Sequence, residues 1–214
     1  MRRSLALALI ALALTAVPIG FRGGPGGAAA DERVIVALGD SLTAGYGVMP
    51  DEAWPALIQA RLRREGFGYS VVNAGVSGDT TAGGLRRVDW VLRARPEIAI
   101  VALGANDGLR GQSVAAMRDN LGKIIERLRT AGARVLLAGM RLPPNYGPEM
   151  TREFAAAFPE VARRTGVTLM PFLLEGVAAN PRLNQADGIH PNAAGQEIIA
   201  ERLWPHLRPL LKKS

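Results

Sequence analysis

Ser41, Asp187 and His190 carry side chains that together could perform acyl transfer. A serine hydroxyl is a weak nucleophile until a base takes its proton. Histidine is the usual base, because its pKa lies near neutrality. The 214-residue chain holds two histidines. His206 sits in Trp204-Pro205-His206 near the chain end and reads as a surface residue, whereas His190 closes the polar loop Asp187-Gly188-Ile189-His190. Asp187, three residues before His190, can reach the imidazole within one turn, fix its tautomer and stabilise its cation. The oxyanion formed on attack needs preorganised donors. Candidates are the backbone N–H groups of Ser41 and Gly75 and the side-chain amide of Asn106. Glycine lets a backbone approach substrate closely, and an asparagine amide offers two N–H donors without a charge. Singly, each residue has an ordinary use as well. Ser41 can cap a turn, Asp187 before Gly188 is a turn signal, Asn73 and Asn106 can bond loops, and Gly75 and Gly78 can form turns. Those uses alone would have to gather a nucleophile, a base, an orienting acid and two donors by accident.

Composition removes much of the competing chemistry. The chain has no cysteine, which excludes disulfide frameworks, cysteine zinc sites, iron–sulfur clusters and thiol nucleophiles. Two histidines leave little room for a histidine-rich metal site, so neither a metal nor an organic cofactor is expected. At 48% hydrophobic and 21% charged residues, the chain is globular, not disordered. The formal charge is +7, but residues 1–30 contribute Arg2, Arg3 and Arg22 and no acid, leaving 23 basic and 19 acidic residues beyond them. The arginines come as small groups, Arg61/Arg63/Arg64, Arg86/Arg87 and Arg163/Arg164, which read as solvated helix faces. No nucleic-acid-binding motif accompanies them, so nucleic acid is not an expected partner.

The first thirty residues read as an address. Met1-Arg2-Arg3 is a positive start, Leu5 to Val17 is an unbroken apolar stretch, and Ala28-Ala29-Ala30 offers a small-residue cleavage site before Asp31. The apolar stretch falls short of the roughly 20 residues of a membrane span. Gly20 to Gly27 lengthens the distance to the cleavage site, which leaves an uncleaved anchor on a Gly-rich tether as the alternative. The expectation is thus a signal peptide and tether over 1–30 and a single domain over 31–214. That domain would be periplasmic or extracellular, carry no membrane span and act as a monomer.

The elements that must position these residues alternate. Strands are expected at Arg33–Leu38, Tyr69–Asn73, Glu97–Leu103, Arg134–Gly139 and Val167–Met170, each a short apolar run bounded by turn residues. Helices are expected at Glu52–Glu65, Thr80–Arg95, Ser113–Thr130, Met150–Thr165 and Ala193–Leu203. Alternation with short connections indicates an α/β fold with a parallel sheet covered on both faces. About five strands suit an open doubly wound sheet, since a closed eight-stranded barrel needs about 250 residues. Ligands then bind beyond the carboxyl ends of the strands. Those ends hold Gly39-Asp40-Ser41, Asn73-Ala74-Gly75 and Gly104-Ala105-Asn106-Asp107.

Gly39-Asp40-Ser41-Leu42, the glycine block Asn73-Ala74-Gly75, Gly104-Ala105-Asn106-Asp107 and Asp187-Gly188-Ile189-His190 occur in that order. Here the chain resembles the GDSL esterases of the SGNH hydrolase superfamily over essentially all of 31–214. The resemblance implies a three-layer α/β/α sandwich around a five-stranded, flavodoxin-like parallel sheet. It also implies Ser41 as nucleophile, His190 as base, Asp187 as third triad member, and Ser41, Gly75 and Asn106 as the oxyanion hole. GDSLTAGYG (39–47), NAGVSGDTT (73–81) and RLPPNYG (141–147) look like the bacterial arylesterase, lysophospholipase and acyl-thioesterase I branch, although Thr43 stands where many members have serine. By that likeness Arg141, Leu142, Pro143, Pro144, Asn145 and Tyr146 belong to a loop near an acyl-binding groove, stiffened by its two prolines; a plain connection after the fourth strand is the alternative.

The activity so implied is a serine esterase with a small-molecule substrate: an aryl or short-to-medium acyl ester, an acyl thioester or a lysophospholipid. Deacetylation of a polysaccharide is a second reading within the superfamily. A non-catalytic ligand-binding α/β module is the alternative of another class. It would want a glycine-rich phosphate loop opening a helix, and no such motif occurs.

Overall fold

Seven residues from Arg33 to Gly39, RVIVALG, form β1, and Ile35 to Leu38 within it are wholly buried. An apolar run of this kind is buried on both faces of a parallel sheet. The computed structural model describes residues 33–213; the expected signal peptide and tether lie outside the described residues. The other strands are β2 (Tyr69–Gly75), β3 (Ile98–Ala102), β4 (Arg134–Ala138) and β5 (Thr168–Met170). All pair in parallel in the order β2-β1-β3-β4-β5. This is the five-stranded parallel sheet expected from the alternation.

Between the strands lie α2 (Trp54–Arg64), α3 (Thr81–Leu92), α5 (Val114–Thr130) and α6 (Pro148–Thr165), and α7 (Ala193–Leu207) follows the last strand. Helices α2 and α7 pack together on one face of the sheet, and α3, α5 and α6 on the other. Three start on a side-chain cap: Thr80 accepts from the Gly83 N–H, Ser113 from Ala116 and Asn192 from Gly195. Such caps satisfy N–H groups that have no partner within the helix. Helix α7 runs four residues past its expected end and absorbs Pro205. Leu203, Trp204 and Leu207 are buried there, so packing outweighs the cost of the proline. His206 is correspondingly half-buried on this helix rather than a free surface residue.

Two short helices were not legible in the sequence. Helix α1 (Ser41–Ala44) starts one residue after β1, and α4 (Ala105–Leu109) starts after Gly104. The sheet register places Gly39 of β1 beside both Gly75 of β2 and Ala102 of β3. Three strands therefore end level with one another. The chain goes from β1 to β2 on one side and then crosses back to β3, so the strand order switches at β1, where such sheets form their crevice.

Candidate active site

Ser41 is the first residue of α1, and Asp40 is its cap, accepting the Leu42 N–H at 3.0 Å. Gly45, in the left-handed region, ends the helix after one turn. As the first residue of a helix, Ser41 has a backbone N–H with no partner inside the helix. Asp40 is 1% exposed. Burial pushes its carboxyl up to about 6, against the opposing pull of the Leu42 N–H.

The loop from Leu183 to Asn192 carries the other two triad candidates. Asn184 pairs with Pro191 as an isolated bridge, and its side chain donates to the carbonyls of Val177 (2.7 Å) and Asn180 (2.8 Å). These bonds close the loop into a turn that aims His190 at α1. His190 Nε2 lies 3.0 Å from Ser41 Oγ, and His190 Nδ1 lies 2.7 Å from Asp187 Oδ2. Asp187 Oδ1 also accepts the backbone N–H groups of His190 (3.0 Å) and Ile189 (2.9 Å). The bonds from His190, backbone first and then ring, hold the Asp187 carboxyl down at about 2. Asp187 is thus ionised at neutral pH and can only accept. Nδ1 must carry the ring proton, which leaves the Nε2 lone pair to accept the Ser41 hydroxyl.

The other oxyanion candidates are placed less uniformly. Asn106 lies on α4, not in an open loop, and its Nδ2 donates to Asp40 Oδ2 at 3.4 Å. That bond occupies one amide hydrogen and leaves the second. Gly75 is beside α1, but its N–H donates to Asn73 Oδ1 at 2.9 Å. The same Asn73 side chain donates to the Thr43 carbonyl at 2.9 Å, tying β2 to α1. Glycine at 75 has another cause: a Cβ there would stand 2.2 Å from the Ala44 nitrogen. The close approach of two backbones requires it. Three residues on, Gly78 turns at φ +79 and its carbonyl accepts Arg110 at 2.9 Å. No hydrogen bond from the Gly78 N–H occurs among the described residues.

Several supporting residues escaped the sequence reading. Arg87 is not part of a solvated helix face, as the Arg86/Arg87 pair suggested. Its guanidinium donates to the carbonyls of Gly39 (2.9 Å) and Ala74 (2.7 Å) and pairs with Asp79 (2.7 Å). It thereby binds the ends of β1 and β2 immediately before Asp40 and Gly75. Asp107, 2% exposed, accepts the N–H (2.9 Å) and hydroxyl (2.5 Å) of Thr81, and so fixes α4 to the start of α3. Only the adjacency of Asp40 and Asp107 to Ser41 and Asn106 could have hinted at these roles. Nothing in the sequence marks Arg87 apart from Arg86.

The segment Arg141–Tyr146 touches the end of α4, the short helix that carries Asn106. Leu142 is buried, Pro144–Tyr146 forms one 3-10 turn, and the Tyr146 hydroxyl donates to the Leu109 carbonyl at 3.0 Å. Arg141 lies over the Phe172 ring, 4.9 Å from its centroid. Among the described residues no three acidic or histidine side chains gather as a metal site, and no helix is long and apolar enough to cross a membrane.

Comparison with known proteins shows the family. The model of the GDSL-like Lipase/Acylhydrolase family matches residues 37–198. The chain is similar to "Esterase TesA" of Pseudomonas aeruginosa, 44% identical over 180 residues that cover 84% of this chain and 90% of that one. It is also similar to "Thioesterase 1/protease 1/lysophospholipase L1" of Escherichia coli, 42% identical and covering 86% of each. Among solved structures, a crystal structure of TesA superposes with a TM-score of 0.82 at 44% identity, covering 84% of this chain and all of that one.

Proposed function

Because the chain belongs to the GDSL-like lipase/acylhydrolase family and is an esterase of that family, we propose that Ser41 is its nucleophile, His190 its general base and Asp187 the acid that orients the base. One observation carries this reading: Ser41 Oγ, the imidazole and the Asp187 carboxylate form a single hydrogen-bonded line of 3.0 Å and 2.7 Å. As Ser41 Oγ bonds to the acyl carbon, its proton passes to His190 Nε2. The tetrahedral intermediate collapses when that proton moves to the leaving alcohol or thiol. Water, activated by the same nitrogen, then releases the acid from the acyl-enzyme. Asp187 stays ionised throughout and stabilises the imidazolium.

The oxyanion hole is built from the Ser41 N–H and the free amide hydrogen of Asn106. A further donor comes from the 75–78 turn. Gly78 suits that part better than Gly75, whose N–H is already bonded to Asn73. Substrates are aryl or short-to-medium acyl esters, lysophospholipids and acyl thioesters. The names of the relatives support that class, and all of them demand the same triad. The Arg141–Tyr146 segment borders the acyl side of the site, a reading supported by the bond from the Tyr146 hydroxyl to the last residue of α4. Residues 1–30 direct the enzyme across the inner membrane, and it works as a monomer in the periplasm or outside the cell.

Steady-state hydrolysis of p-nitrophenyl esters of graded acyl length tests this reading, with Ser41→Ala and His190→Ala alongside. The expected loss in kcat is about 10³-fold or more in each variant. The parent's Ser41 should also be labelled by an organophosphate. Full activity in Ser41→Ala would remove Ser41 as nucleophile. Folded parent enzyme that was inert on every ester would move polysaccharide deacetylation ahead.

A further inference from the structure

His190 works from a loop, and its side chain and that of Asp187 stay partly open to solvent. Two hydrogen bonds grip opposite sides of the imidazole. They leave the ring free to tip about the line that joins them. The Tyr46 ring packs against that ring in a tilted arrangement, with centroids 4.6 Å apart and planes inclined by 44°.

The backbone of Tyr46 is bound to both halves of the site. Its N–H donates to the Ser41 carbonyl at 3.1 Å, and its carbonyl accepts Gln185 Nε2 at 2.6 Å. The Gln185 N–H in turn donates to the His190 carbonyl at 2.8 Å. Gly45 and Gly47 flank Tyr46 at φ +77 and +76, which turns the chain back toward the histidine loop. A Cβ at Gly47 would stand 2.1 Å from Gln185 Oε1, so glycine permits the two loops to close up. Yet the Tyr46 residue is 52% exposed. Hydrophobic burial is therefore a weak reason for an aromatic here, and the imidazole is the ring it packs against.

We propose that Tyr46 is a positioning residue for His190. Its ring limits the tipping of the imidazole, keeping Nε2 in line with Ser41 Oγ. Its π-system also lies within 4.6 Å of the ring on which positive charge develops when the Ser41 proton arrives, a proximity that favours a cation beside an aromatic. The inference rests on the assignment of Ser41 and His190 as nucleophile and base.

The test compares Tyr46→Phe, Tyr46→Leu and Tyr46→Ala in the full-length enzyme, with Ser41→Ala and His190→Ala beside them, on p-nitrophenyl butyrate. Tyr46→Phe keeps the ring and should stay within about twofold of the parent, whereas Leu and Ala should lower kcat roughly tenfold with KM within about twofold. Thermal unfolding of each variant checks that the fold is retained; should Ala fail to fold, Leu against Phe decides. Tyr46→Ala or Tyr46→Leu turning over at the parental rate overturns the proposal. So does a change confined to KM, which would make Tyr46 a wall for substrate. A loss in Phe equal to that in Ala also overturns it, because the hydroxyl would then be the working part. Activity surviving in Ser41→Ala or His190→Ala would instead defeat the underlying assignment.

Discussion

Replacing Asp40 by asparagine should make the folded enzyme more stable at neutral pH and less active. Burial raises the Asp40 carboxyl from 3.8 to about 6. A raised acid pKa means the folded state holds the proton more tightly than the unfolded chain does. The contribution of Asp40 to stability is therefore fully present below about pH 3.8 and is lost as pH rises through about 6. Two pKa units correspond to about 3 kcal/mol against the fold at neutral pH. Asparagine removes that charge at every pH. Its Oδ1 can still accept the Leu42 N–H, and asparagine caps helices about as well as aspartate. It loses the bond from Asn106, which at 3.4 Å is worth about 1 kcal/mol. The variant should then be about 2 kcal/mol more stable than the parent near pH 7.5 and about 1 kcal/mol less stable near pH 3.5. Urea denaturation followed by circular dichroism at several pH values measures this difference directly. Titrating groups that do not interact with Asp40 cancel between the two proteins; His190 and Asp79, which feel its charge, add a smaller difference. With Asn106 no longer held, kcat should fall about tenfold. A stability difference that did not change with pH would refute the reasoning, and so would a variant less stable at pH 7.5.

Other substitutions probe the remaining supports. Asn106→Ala should lower kcat by about 10²–10³ with KM little changed, measured by steady-state kinetics, because an oxyanion donor acts mainly in the transition state. Gly75→Ala places a methyl 2.2 Å from the Ala44 nitrogen and 2.8 Å from the Thr43 carbonyl carbon. It should cost about 2–3 kcal/mol in thermal unfolding and slow organophosphate labelling of Ser41, since α1 must move to make room. Arg87→Met removes two bonds to the ends of β1 and β2 and the ion pair with Asp79 and should destabilise by about 3 kcal/mol, whereas Arg86→Met, on the exposed neighbour, should stay within about 0.5 kcal/mol.

Much of the framework was legible in the sequence because it follows from local periodicity. The runs around Ile35, Ile100 and Leu136 are apolar without interruption, as buried parallel strands must be. The spacing of Met117, Leu121, Ile124 and Leu128 is that of a helix face, and all four are buried in α5. Alternation of the two patterns specified the fold class, and the four short motifs named the residues able to do chemistry. Local pattern has no access to which long-range partners meet. The level ending of β1, β2 and β3 comes from sheet register. That register brings the Ser41 helix, the Asn73–Gly78 turn and the Asn106 helix together from separate parts of the chain. The 3.0 Å from His190 to Ser41 spans 149 residues and depends on the Asn184 bridge and on Gln185. Arg86 and Arg87 are the same residue type one position apart. Rotation along α3 turns one outward and the other onto the Gly39 and Ala74 carbonyls. Gly75 was legible as a glycine beside the site, but only packing against Ala44 shows that close approach is its reason and that its N–H is already bonded. Side-chain type and local spacing were enough to propose the chemistry. Distance, burial and the assignment of each donor to its acceptor arise only when the sheet brings remote segments into contact.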